Sequence, residues 1–121
     1  MKFITKEIHA YLDYPVAIAL IVLPFLLQLS GTAILLSVGT GVAAFLLTFL
    51  TDHRTGVIPV VPYRFHLAVD FAVGLFFVVA PFIFGFSGID AYFFWANGAA
   101  VLTVVALHKP TETVYTPVAA R

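Results

Sequence analysis

The sequence predicts an all-α integral membrane protein. Its four transmembrane helices form two tandem helical hairpins related by a pseudo-twofold axis along the membrane normal. Three observations lead there: composition, four long apolar stretches, and a pattern that returns after 57 residues. Of 121 residues, 62% are hydrophobic and 10% charged, where soluble domains carry about 25% charge. Too few polar side chains exist to cover a water-facing surface, so a soluble globular enzyme and a disordered tail are excluded. Six Lys+Arg balance six Asp+Glu, so no basic field holds nucleic acid. The absence of Cys removes a disulfide framework, a thiolate metal site and a Cys nucleophile.

A bilayer core of about 30 Å takes roughly 20 apolar residues per helix. The stretches run from about Tyr14 to Leu29, Thr32 to Leu50, about Phe71 to Phe86, and Ala91 to Leu107. The first and third reach full length if the polar turns beginning at His9 and His66 are also helical. The first span also resembles a signal peptide with Lys2 and Lys6 ahead of it. It lacks a small-x-small cleavage site and its pattern recurs later, so it is expected to be retained.

Ser30-Gly31 separates spans one and two, and Ser87-Gly88-Ile89-Asp90 separates three and four. Links this short make each pair an antiparallel hairpin, with Gly expected to supply the positive φ at the turn. The middle connector, Thr51 to Arg64, holds Gly56, Pro59 and Pro62 and is read as an extended segment at the membrane surface. Lys2, Lys6, Arg54, Arg64, Lys109 and Arg121 all fall on one side of this arrangement, and the hairpin tips carry only Asp90. The positive-inside rule puts both termini and the connector in the cytoplasm.

Shifted by 57 residues, His9 falls on His66, Asp13 on Asp70, Pro24 on Pro81, Ser30-Gly31 on Ser87-Gly88 and Gly41 on Gly98. Polar and Pro matches in one gapless register indicate a duplication. The expected organisation is a single membrane domain over 1–121, with repeat one at 9–52, a cytoplasmic connector at 53–65 and repeat two at 66–109. Each unit crosses twice, so both enter the membrane in the same direction. Units with a proline late in the first helix and a Gly-bearing second helix resemble the SPW-repeat family of small bacterial membrane proteins. The triplets here read Leu23-Pro24-Phe25 and Ala80-Pro81-Phe82, with Phe in place of the family's Trp; Trp95, Asn97 and Gly98 are similar to the start of the family's second helix. The resemblance implies the two-hairpin topology and a bacterial inner (cytoplasmic) membrane. It implies no biochemical activity.

Helix association in lipid relies on close packing and polar contacts. Gly39 and Gly41 in span two and Gly98 in span four are the expected close-approach points, and Asn97 is expected to hydrogen-bond across helices. Pro24 and Pro81 each remove a backbone hydrogen bond and kink their helices, which neighbours must repair. The thirteen Phe read as lipid-facing bulk, with a pigment, quinone or lipid groove as the alternative.

The sharpest chemical feature is His-x-x-x-Asp, at His9/Asp13 and again at His66/Asp70. Residues four apart share a helix face, so each Asp is expected to reach its own His. His53 and His108, at the ends of spans two and four, sit at a similar depth, so all four His are expected on the cytoplasmic side. Near the membrane surface these groups are expected to be hydrated and to brace the bundle. Were the pairs to meet, two His and two Asp suit a divalent metal, and two His suit a b-type haem. The leading expectation is a non-enzymatic structural or accessory protein without a cofactor, packing against itself or a larger membrane complex. A cofactor binder and a small-solute transporter or channel are the alternatives; neutral Thr40, Thr48, Asn97 and Thr103 offer no mid-depth ion relay.

Orientation is checked with single cysteines in this cysteine-free chain. Lys2→Cys, Arg54→Cys and Lys109→Cys should react with an impermeant maleimide from one side of sealed vesicles, and Ile89→Cys from the other. Labelling of Arg54→Cys and Lys109→Cys from opposite sides would overturn the topology.

Overall fold

The computed structural model describes residues 2–108; the expected cytoplasmic cations Lys109 and Arg121 lie outside them. Four helices account for the fold: α1 (Lys6–Leu26), α2 (Gly31–Leu50), α3 (Tyr63–Phe84) and α4 (Gly88–Ala106). At 1.5 Å per residue they are about 28–33 Å long, and all four are long and apolar enough to cross a membrane. Both polar N-terminal turns are helical, and α1 and α3 begin three residues before His9 and His66. Thr5 caps α1, its side chain accepting from Ile8 N at 3.1 Å. Side chains of high exposure ring the apolar surface, among them Phe82 at 76% and Leu35 at 72%.

Helix α1 packs on α2 and α3 packs on α4, making two hairpins. Small residues set both crossings. A Cβ on Gly41 would meet Ala17 O at 2.9 Å, and one on Gly98 would meet Gly74 O at 2.9 Å. Ala17 and Gly74 are also 57 residues apart, so both hairpins cross at matching positions. Gly39 differs from expectation: nothing lies within 4 Å of a Cβ built there. It faces a cavity between the hairpins instead. Asn97 also faces that cavity, and its Nδ2 donates to Phe93 O one turn back in its own helix, not across helices.

Pro24 frees the carbonyl of Leu20, and Ser37 Oγ of α2 donates to it at 2.7 Å. The position matching Ser37 is Phe94, which is fully buried and stacks on Phe77 with ring centroids 4.6 Å apart. Leu20, Leu29, Ala33, Phe77, Ala80, Phe93 and Phe94 form the buried core. The hairpins are also joined at their tips, where Ser30 N donates to Asp90 Oδ1 at 3.0 Å.

The connector is folded back, not extended. Phe49 O accepts from Val57 N and Ile58 N, and Leu50 O from Val60 N and Val61 N. These bonds satisfy the last carbonyls of α2. Gly56 is required, because a Cβ there would collide with Thr51 O. Thr55 Oγ1 donates to Ala10 O, and Tyr14 OH donates to Thr55 O, fastening the connector to α1.

At the first tip, the positive φ falls on Gln28 (55°), not on Gly31. At the second it falls on Gly85 (69°) and Gly88 (56°). Gln28 and Gly85 are 57 residues apart, so the same turn is made once by Gly and once by a residue with a Cβ. The left-handed region costs a non-Gly residue about 1 kcal/mol. Gln28→Gly should therefore raise stability by up to about 1 kcal/mol, and Gly85→Ala should lower it by a similar amount. Thermal unfolding in detergent checks both; the open space around Gly85 leaves backbone strain as the cause.

Candidate metal centre

Helix periodicity puts His9 and Asp13 on one face of α1 and His66 and Asp70 on one face of α3. These faces are turned toward each other. Each Asp approaches its own His: His9 Nε2 to Asp13 Oδ1 is 3.1 Å, and His66 Nε2 to Asp70 Oδ2 is 3.3 Å. The crossed contacts are equally close. His9 Nε2 lies 2.7 Å from Asp70 Oδ2, and His66 Nε2 lies 3.4 Å from Asp13 Oδ2. The closest contact of the four therefore joins the two hairpins. One ligand atom from each of the four residues lies within 4.8 Å of every other.

The two histidines are buried, His9 at 3% exposed and His66 at 2%, while the Asp13 and Asp70 side chains, 10% and 20% exposed, edge the cavity between the hairpins. Asp70 is the eighth residue of α3, about 10 Å along a helix about 33 Å long. The surroundings of the histidines are specific. Ile4 N donates to Leu107 O at 3.0 Å, drawing the N-terminal segment against the end of α4. Lys6, Tyr63 and His108 gather there, with Tyr63 Oη and His108 Nε2 2.7 Å apart and Lys6 Nζ 5.3 Å from the Tyr63 ring centre.

His53 comes from the connector. Its Nε2 stands 3.1 Å from Asp13 Oδ2, and its ring lies 5.4 Å from that of His66. All four histidines of the chain thus meet in one place. The 57-residue match does not reveal this, since His53 pairs with Pro110 and His108 with Thr51. The sequence does place both at the ends of spans two and four, at a depth similar to that of His9 and His66, and the structure brings them into contact.

Thr51 orients His66. Its hydroxyl donates to Leu47 O and so accepts from His66 Nδ1 at 2.7 Å. With Nδ1 turned to Thr51, Nε2 faces both carboxylates. A ring nitrogen held by an outer partner while the other faces the site is the usual arrangement of a metal-bound histidine. His9 Nδ1 and His53 Nδ1 are buried without a hydrogen-bond partner.

A cavity of about 540 Å³ begins at this cluster and runs between the hairpins. All four helices line it, with His9, Asp13, His66 and Asp70 at one end and aliphatic side chains along the walls. Among the described residues no Phe, Tyr or Trp lines it. The abundant Phe instead fill the core, as Phe77 and Phe94 do, or face outward, as Phe82 does.

Comparison with family models, curated proteins and solved structures found no match for this chain. Asp13 contacts three histidines and Asp70 two. Breaking a buried ion pair by removing one partner costs about 3–5 kcal/mol. Asp13→Ala should fall in that range and lower the melting temperature in detergent more than Asp70→Ala does. Equal effects would show that His53 adds nothing to the network.

Proposed function

We propose that this chain is a small bacterial inner-membrane protein that holds one divalent transition-metal ion between its two hairpins, with His9, Asp13, His66 and Asp70 as ligands. The observation that carries this reading is the crossed geometry of the four side chains. Ligands at 2.0–2.1 Å around a tetrahedral ion lie about 3.3–3.4 Å from one another. The four nitrogen–oxygen separations run from 2.7 to 3.4 Å, with Asp13 meeting His9 through Oδ1 and His66 through Oδ2, and one atom from each residue lies within 4.8 Å of the others, so the side chains draw inward to close a shell. Two carboxylates and two neutral imidazoles carry a charge that one divalent cation cancels, as a low-dielectric site demands. Nitrogen and carboxylate donors without sulfur suit zinc, manganese, iron or cobalt in their divalent states.

A b-type haem fits less well. Asp13 and Asp70 occupy the space between the two Nε2 atoms, where a porphyrin would have to pass. The ion would also tie the hairpins together, which suits an accessory role as well as a chemical one. In this reading the chain is a duplicated, SPW-like pair of hairpins with the metal close to the axis relating them, and both termini are cytoplasmic. The exposed apolar helix faces suit lipid, a second copy or a larger membrane complex equally.

Purified in chelator-free detergent, the protein should carry about one divalent ion per chain by elemental analysis. His66→Gln and Asp13→Asn should each abolish it. Restoring zinc to stripped protein at about 100 times the dissociation constant should stabilise the fold by about 2.7 kcal/mol. Wild-type protein that takes up none of zinc, manganese, iron or cobalt would sink the proposal, leaving the cluster as a brace of His–Asp hydrogen bonds.

A further inference from the structure

We infer that the cavity beside the His/Asp cluster binds a single-chain lipid with a hydroxyl head, such as a long-chain alcohol, its oxygen against Asp13 and Asp70 and its tail along the hairpin interface. This deepens the metal reading and rests on it for the identity of the polar end.

Size limits the occupant first. An α-helix is about 10–12 Å across, so about 540 Å³ would hold only about one turn of it. A second copy cannot fill the space with a helix. The volume falls in the range of small-molecule sites, about 300–1,000 Å³.

The walls define the tail. From Thr48 to Leu36 the cavity follows α2 over twelve residues, about 18 Å, between Ala43 and Leu47 on one side and Val101 and Val104 on the other. Leu12, Val16 and Leu35 line it and are also 40%, 38% and 72% exposed. The cavity therefore opens sideways, where a membrane-dissolved molecule arrives without crossing water.

The polar end defines the head. A hydroxyl donates to a carboxylate oxygen and offers a lone pair to the cation or to an imidazole N–H. An alkane would meet none of the lone pairs that the carboxylates keep beyond their histidine contacts. A fatty carboxylate would bring a third negative charge against Asp13 and Asp70. Only a neutral head that both donates and accepts suits carboxylates and imidazoles together.

Native mass spectrometry of the purified, metal-loaded protein with dodecanol, dodecane or dodecanoate tests this. Dodecanol should be retained at about one per chain, at concentrations about tenfold below those needed for the other two; one hydrogen bond to a charged group accounts for a difference of that size. Ala100→Trp narrows the cavity midway and should abolish retention while leaving metal content unchanged; Ala43→Leu serves the same purpose if Ala100→Trp fails to fold. Equal retention of all three probes would overturn the inference, since it would mean plain filling by hydrocarbon, as would retention unaffected by either substitution. Metal uptake without dodecanol selectivity defeats this inference and spares the metal site. Dodecanol selectivity in a chain that takes up no metal supports the lipid pocket and defeats the metal site.

Discussion

Two carboxylates sit in a place where water does not reach them freely. Asp13 and Asp70 are placed on helices that must lie in lipid, and a charge there needs a partner within a few ångströms. Each turns to histidines of both hairpins, with separations between 2.7 and 3.4 Å. Much of the rest follows. The N-terminal segment lies on the end of α4, and the connector folds back over α2. Both carry further polar side chains, His108 and His53, into the same ring of contacts. Hydrocarbon supplies no net drive to bring apolar helices together, so this polar convergence and the close glycine crossings decide how the hairpins sit.

The large features were written plainly in the amino-acid order. Composition marks out four helices long and apolar enough to cross a membrane, and Ser30-Gly31 and Ser87-Gly88 mark the hairpin tips. The polar turns at His9 and His66 extend α1 and α3 as their spacing suggested. Finer features needed three dimensions. The i, i+4 spacing shows that His9 can reach Asp13, but nothing local shows that it reaches Asp70 more closely. The depth of His53 was legible from the end of span two, but its contact with Asp13 was not, because that contact spans 40 residues and depends on a loop whose path is set by backbone bonds. Gly39 and Asn97 misled for one reason: a small or amide residue on a lipid-spanning helix signals close packing only if a neighbour is there, and here the neighbour is a cavity. Gln28 stands where Gly was expected, because turn geometry follows position in the hairpin and residue preference only biases it.

The two halves match in architecture and differ in chemistry. Gly41 and Gly98 cross their partner helices at the same point, and His9, Asp13, His66 and Asp70 mirror one another. Yet Ser37 repairs the gap left by Pro24, while its counterpart Phe94 stacks on Phe77. Thr51 orients His66, while its counterpart is His108 itself. Symmetry therefore holds where the His and Asp side chains of the two hairpins converge and lapses where each hairpin meets its own surroundings.

One contact lies far from all this. Ser30 N and Asp90 Oδ1 clasp the hairpins at their tips, and the His/Asp cluster clasps them near the other end. Between the clasps the helix pairs face each other across open volume, and the core bridges them where Leu20 and Ala33 of the first hairpin pack with Phe77 and Phe94 of the second. The two clasps fix the hairpins at their ends, so the width of the space between is set by the aliphatic side chains of its walls.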